Sequence, residues 1–427
     1  MSQPNILRIA HDLPRPVLEL ATRLEEHGIR AFSHGEGLLD DLREASGTAA
    51  ANVTVGRKTG IGRTRSLLCV ASPEKALRAL PRAVVTSEHA IRISQATAVG
   101  PVDLIFTGAR NPEPALLDFG LGPLCFGFRP ADASWCDPAN QLEAFSAGRL
   151  ELAKSDPNPF IVAPRRYWIA ARLIAERALE AAPSLLSAAR DALPEILPRL
   201  PQAAPARREI QRILVAPDPA PGLAFLRESG VTAACVPGAT AAHAERIGDL
   251  PPLPSVRWAA WLRGGTTARA LVRFRVPHAL ARRIERIQGS HPIDRSVDGG
   301  RDLGVRKLLQ RHDEEEIDAL FAWRRLEFAA LSRNRPNEAI EGDARLHAIE
   351  GQIQEAQAAE ARTDQVRSLA LDGRAVMATL GAGPGRHVGQ ALAHLARFVA
   401  DRPDANERDA LESELRKWRA KQPNGFD

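Results

Sequence analysis

The residues best able to do chemistry in this 427-residue chain are four aspartates in its first third, Asp40, Asp41, Asp103 and Asp118. Carboxylates of this kind serve metal-assisted phosphoryl transfer, which needs two or three of them close together to hold two magnesium ions against a triphosphate. One strand can supply two, because residues i and i+2 point to the same face. The sequence withholds that arrangement, since no Asp or Glu occurs between Glu44 and Glu74. Any metal site would have to be rewired from Asp40, Asp41, Asp103 and Asp118, which lie far apart along the chain. The loop GRKTGIGR (56–63) imitates a phosphate cradle, but Lys58 and Thr59 precede Gly60 instead of following it, so the spacing predicts a basic loop. His312-Asp313 imitates a metal-binding dipeptide, yet Glu314, Glu315 and Glu316 follow it, which predicts a solvated acidic helix start. No Ser-His-Asp or Cys-His set can be argued from spacing. Cys69, Cys125, Cys136 and Cys235 are scattered, without zinc-ligand or disulfide spacing.

Charge points elsewhere. The chain carries 57 Lys and Arg against 52 acids, but residues 251–311 hold thirteen cations against Glu285, Asp294, Asp298 and Asp302, a local net of +9. A basic block in an otherwise balanced chain is the footprint of a polyanion partner, because neutralised phosphates release counterions. Its members Arg275, Arg282, Arg283, Arg286, Arg301, Arg306, Lys307 and Arg311 are the candidate RNA contacts. Arg282 and Arg286 stand four apart on one helical face with Arg283 beside them. The competing reading is that these arginines pair with Glu314 to Glu316 on the surface. A third is that the basic helices dock a partner protein.

The elements that must position these groups fall into two regimes. Residues 15–28 predict a surface helix ending at Gly28. The short apolar runs 66–72, 90–94, 101–108 and 124–128 predict strands, with a crossover helix at 73–83. From about residue 160 the pattern is helical and punctuated by Pro164, Pro183, Pro194, Pro198, Pro205 and Pro221, with a Pro/Gly-rich seam at 237–254 as the linker. With 44% hydrophobic and 26% charged residues the composition is that of a globular protein. The absence of a long apolar run or a leader pattern predicts a cytoplasmic protein without a membrane partner.

Several stretches occur in an order that resembles the bacterial tRNA nucleotidyltransferases (CCA-adding enzymes) and their poly(A) polymerase relatives. EGLLDDL (36–42) stands where that family has a Gly-Gly, then Arg-Asp motif, and LCVASPEKALRALPRAV (68–84) where it has an Asp-x-Asp strand and a short helix. PVDLIF (101–106) resembles the strand bearing a third carboxylate, LLDF (116–119) the Arg-Arg-Asp segment, and 136–176 the passage into the neck. ARREIQRIL (206–214) looks like the end of the neck, and 369–418, with its DGR, Gly-Pro-Gly and Pro-x-x-Asn-x-Arg, like the tail. The resemblance implies an α/β head of polymerase-β nucleotidyltransferase type followed by an all-α neck, body and tail. The corresponding spans are 1–150, 151–238, 239–368 and 369–427.

Carried over residue by residue, the resemblance leaves Asp103 as a remnant of the third carboxylate. Gly37, Asp41, Asp118, Arg166 and Arg172 remain as nucleotide-binding remnants. Leu67 and Cys69 replace the Asp-x-Asp pair, Leu116 and Leu117 the two arginines before Asp118, and Val162 and Ala163 the acidic pair of the base-reading motif. The expectation is a family member that binds RNA, specifically tRNA, without catalysis. No cofactor is expected, and Mg2+ enters only under the alternative of an active nucleotidyltransferase with rewired carboxylates.

Overall fold

The structure is a computed structural model that describes residues 13–45, 65–87, 92–98, 100–108, 111–153, 157–200, 206–239, 246–297 and 302–420. The loop 56–63 and Arg301 lie outside the described residues. The chain divides into two compact units, Met1–Gln288 and Gly289–Asp427.

The first unit opens with helix α1 (Arg15–Glu26), which buries Val17, Leu20, Ala21 and Leu24 along one stripe. It stops where Gly28 takes the left-handed φ of 67°. Then follow β1 (Arg30–His34), α2 (Gly35–Ala45), β2 (Arg65–Val70), α3 (Pro73–Ala79), β3 (Val84–Ser87), β4 (Arg92–Thr97) and β5 (Gly100–Phe106). After α4 (Glu113–Leu117) come β6 (Gly127–Arg129), β7 (Ser134–Cys136) and α5 (Gln141–Ser146). The seven strands make one sheet in the order β3-β4-β5-β2-β1-β6-β7. Its central pair, β2 and β5, is parallel, and the other neighbours are antiparallel. Helices α1 and α3 cover one sheet face, where Leu20, Leu24, Ala76 and Ala79 pack on Ala31, Leu67, Cys69, Val102 and Leu104.

The span 151–238, expected as the neck, holds α6 (Arg165–Arg177), α7 (Pro183–Ile196), α8 (Ala206–Val215) and α9 (Ala220–Glu228), and α10 (Pro254–Trp261), α11 (Thr267–Arg273) and α12 (His278–Ser290) follow it. The part of the Pro/Gly-rich seam that is described lies within this unit. Buried Arg257 ties it down there, donating to the carbonyls of Gly248, Leu250 and Pro251 and to those of Leu214 and Ala216 at the end of α8.

In the second unit, α13 (Asp302–Arg311), α14 (Glu314–Leu331) and the 32-residue α15 (Pro336–Arg367) precede a tail of α16 (Gly373–Leu380), α17 (Arg386–Asp401) and α18 (Arg408–Ala420). The motif residues of the tail have structural work. Asp372 caps α16 by accepting from the Ala375 amide at 2.8 Å, and Gly381 ends the helix at φ 62°. Asn406 accepts from the Ala370 amide and donates to the Ser368 carbonyl, both at 2.9 Å. They enclose a core of Leu371, Val376, Leu380, Leu395, Leu411 and Leu415.

Four sequence expectations shift. The run 124–128 is not one strand: Gly122–Leu124 is a short 3-10 turn and β6 begins at Gly127. β1, β3 and β7 escaped notice because they are five, four and three residues long, with polar residues breaking the apolar alternation. A two-residue pairing of Arg149–Leu150 with Glu180–Ala181 interrupts the region read as purely helical. Pro194 lies inside α7 instead of ending it.

Gly37 has a packing reason to be glycine. A Cβ there would stand 2.8 Å from Arg65 Cγ and 3.1 Å from Arg65 Cα. Gly37→Ala should therefore lose about 1 kcal/mol or more, because the overlap outweighs the ~1 kcal/mol gain in helix propensity. An unchanged urea midpoint would show that α2 can move away from β2.

Candidate active-site face and nucleic-acid interface

Sheet register decides which residues share a surface with Asp103. Asp103 on β5 lies opposite Ser66 on β2, and Ile105 opposite Leu68. Alternation then sets Ser66, Leu68 and Val70 on the face of Asp103, while Leu67 and Cys69 point the other way, into the core under α1 and α3. Leu67 and Cys69, the expected Asp-x-Asp positions, thus do not share a face with Asp103. Burial, and then the nearby Glu25 charge, pushes the Cys69 thiol up to about 12, so it stays protonated there. Neither face of β2, which reads RSLLCV, offers an acid.

The face of Asp103 is also covered. Phe32, Leu68 and Leu116 are buried together, with Val70, Ile105, Ala115, Phe119 and Cys136 packed against them. Buried His34 lies against Phe119, ring centroids 4.9 Å apart. Leu116 and Phe119 belong to this packed cluster, Leu117 does not, and Leu67 is on the opposite side, so Leu116 and Phe119 form the plug. Beside half-buried Asp103 stand the hydroxyls of Ser66 on β2 and Ser94 on β4, with the hydrocarbon side chains of Leu68 and Val70 further along, a set that does not fit a magnesium pair. Among the described residues, no three His, Cys, Asp or Glu side chains gather as a metal-ligating group. Two of the other candidate acids are engaged: Asp41 pairs with Arg65 at 2.7 Å and Asp40 with Arg177 at 2.6 Å.

A cleft of about 380 Å³ opens on the same sheet face, beyond the plug, lined by Arg30, Phe32, Glu113, Arg129, Cys136 and Asp137 among others. Its polar groups have structural partners. Arg129 holds both oxygens of Glu25, and Asp137 accepts from the amides of Gln141 and Leu142 at the start of α5. Burial, together with the charges of Glu113 and Asp137, raises the Cys136 thiol to about 11, where it is no nucleophile at neutral pH.

The two neck arginines are likewise occupied. Arg166 donates to the carbonyls of Pro159, at 3.0 Å, and of exposed Asp118. Burial lowers its pKa from the ordinary arginine value. Arg172 is fully buried and serves three carboxylates: Glu36, with Nη1 at 3.0 Å from Oε2 and Nη2 on the other oxygen, Glu176 at 2.9 Å, and Glu209 through Nε. Desolvation alone would lower its pKa, but those three charges outweigh it and raise it. Arg212 joins the cluster, 3.2 Å from Glu36 and 2.8 Å from Glu176. Asp40 and Arg172 are thus brought to one head–neck contact, Gly37 and Asp41 turn toward Arg65 of β2, and Asp118 and Arg166 form a second contact.

The basic block separates into exposed and structural members. On α12, Ile284 and Ile287 are buried while Arg282, Arg283 and Arg286 are exposed on the other side. Arg275 is exposed as well, in the left-handed conformation that ends α11. Arg306, Lys307 and Arg311 are exposed on α13, in the second unit. Arg257 belongs to the core, where burial lowers its pKa to about 10 and five carbonyls absorb its donors.

The acidic helix start is not a solvated face throughout. Glu316 is fully buried, its amide is capped by Asp313, and its carboxylate lies 2.9 Å from His312 Nδ1. His312 Nε2 lies 2.8 Å from Ser290 Oγ. The spacing gives no hint of this Ser290–His312–Glu316 row, whose first and last members are separated by two helices, Ile293–Ser296 and α13. Its geometry is that of a hydrolytic triad, but Ser290 and His312 are each only 5% exposed, so no carbonyl substrate reaches the hydroxyl. It is a buried hydrogen-bond row that fixes the start of α14.

Among the described residues no helix is long and apolar enough to cross a membrane. No family model matches the sequence, and no curated protein matches it. Solved structures do. The CCA-adding enzyme of Bacillus stearothermophilus in complex with CTP is 17% identical, with 95% of this chain and 97% of that one covered at a TM-score of 0.59. A second CCA-adding enzyme with CTP is 14% identical, with 99% of each chain covered at 0.61. The Thermotoga maritima CCA-adding enzyme complexed with tRNA is 13% identical, with 98% of each covered at 0.60. At such identities the likeness is one of architecture, and the chain has the fold of the CCA-adding enzymes, a mixed-sheet head followed by helices.

Proposed function

We propose that this protein is a tRNA-nucleotidyltransferase-like RNA-binding protein of the cytoplasm, with a head that no longer transfers nucleotides. The observation that carries the reading is the surface beside Asp103, where Ser66, Leu68 and Val70 stand and Leu116 and Phe119 close over the strands. Two-metal transfer has no second carboxylate there. Binding is supported by the exposed Arg282, Arg283 and Arg286 on α12, since a guanidinium fork makes two hydrogen bonds to one phosphate. A duplex-like RNA is read mainly through backbone and shape, so loss of head chemistry need not remove it. That a protein of the same fold is known in complex with tRNA supports tRNA as the RNA.

The test joins both halves. Purified protein with tRNA lacking its 3′ end, CTP, ATP and magnesium should incorporate no nucleotide, and incorporation that Asp103→Ala abolishes would overturn the reading. The same tRNA should shift in a gel with strong salt dependence. Replacing Arg282, Arg283 and Arg286 together by Ala should weaken binding across sequences and flatten the log–log salt dependence by about one unit per lost phosphate contact. Unchanged affinity and slope in the folded variant would move the RNA surface away from α12.

A further inference from the structure

The ion cluster between α2 and the neck is built asymmetrically. Glu176 stands one turn from Arg172 on α6, and Glu209 reaches Arg172 from α8, so the neck supplies these pairs itself. With Arg177 the neck contributes three guanidinium groups and two carboxylates. The head answers with Glu36 and, one turn later on α2, Asp40. Glu36 takes donors from Arg172 Nη1 and Nη2 and from Arg212 Nη2, while Arg177 Nη2 donates to its backbone carbonyl at 3.3 Å. It sits in the first turn of α2, where the helix dipole favours an anion.

We infer that Glu36 is a tethered carboxylate ligand of an arginine cradle on the neck, and that its docking latches the head in a single orientation. The cradle keeps a net positive charge until the head docks, so it takes an anion, and this chain carries that anion on its own α2. A side chain one-third exposed is in reach of water, so a small free carboxylate can enter when Glu36 is truncated. Burial by itself would raise the Glu36 carboxyl pKa. The charges of Arg172 and Arg212, with the Arg172 hydrogen bond, outweigh that and hold it below its ordinary 4.5.

The experiment is amide exchange and thermal unfolding of the full chain with Glu36→Ala, with and without acetate, which is the missing group as a free ion. Amides of α2 should exchange about tenfold faster or more in the variant. Acetate at roughly 100 mM should slow them again in Glu36→Ala, whereas chloride at equal ionic strength should not, and neither should change wild type. Exchange in α2 as slow as in wild type overturns the latch. Faster exchange that acetate leaves untouched overturns the ligand cradle. Should Glu36→Ala fail to fold, Glu36→Gln decides by the same exchange measurement, since a latch that depends on charge opens with the neutral isostere and slow exchange refutes it. No RNA or nucleotide enters the readout, so the outcome is independent of the proposed function.

Discussion

Arg172→Met should cost about 3–5 kcal/mol in urea denaturation, because it strands buried and half-buried carboxylates that share one guanidinium. Glu36, Glu176 and Glu209 all face Arg172, and Arg212, about one-third exposed, is left to answer for the first two. The corresponding Arg212→Met should cost less, because part of its charge is already met by water. The pH dependence has a fixed sign. The Glu36 carboxyl is depressed in the folded protein, so its share of the stability is complete above the ordinary value of 4.5 and is lost as pH falls through the lowered one. The gap between wild type and Arg172→Met should therefore be full at neutral pH and narrow in acid below 4.5. A gap of constant size across that range would mean that Arg172 contributes packing and not charge.

Arg257→Leu should be as damaging for a different reason. Among the described residues its hydrogen-bond partners are five carbonyls, with Nη1 at 2.7 Å from the Leu214 oxygen and Nη2 at 2.7 Å from that of Leu250. Leucine fills much of the volume but removes the guanidinium donors; the Pro251 carbonyl keeps the Leu253 amide, and each buried acceptor left unsatisfied costs about 1–3 kcal/mol before relaxation. A net loss of at least about 3 kcal/mol is expected, with faster amide exchange at 246–251. A loss under about 1 kcal/mol would show that water replaces the side chain. Lysine should rescue only in part, since an ammonium group has three donors where the fork has five.

Much of the architecture could be read from the sequence, for particular reasons. Helix α1 announces itself through its buried stripe and Gly28, and β5 through the apolar run before Phe106. The motif order in the tail was legible because its members are caps and clamps with fixed local geometry, such as Asp372 and Asn406. The missing carboxylate pair was legible as composition, since β2 has no acid at any register. Which positions it should have occupied was not. A one-residue slip exchanges the two faces of a strand, and only pairing with β5 fixes it. The plug of Leu116 and Phe119, the bonds of Arg172 to Glu36 and the row from Ser290 to Glu316 join residues distant in the chain, and no local pattern encodes such meetings. Arg257 shows the converse limit, for it counted toward a basic surface until its burial removed it.

The span of the Glu36 contacts also sets an order of events during synthesis. Glu36 is 136 residues ahead of Arg172 and 176 ahead of Arg212. β1 cannot acquire its second neighbour until Phe128 is made, so the sheet is itself a late, non-local product. A nascent chain that has completed the sheet still carries Glu36 as a hydrated charge on a helix with nothing to grip. At elongation rates of about 5–20 residues per second, that interval lasts seconds, long compared with the packing of a small domain. During that interval the strands have the head's own core, under α1 and α3, to hold them. The arginines that grip Glu36 come later in the chain than every strand of the sheet.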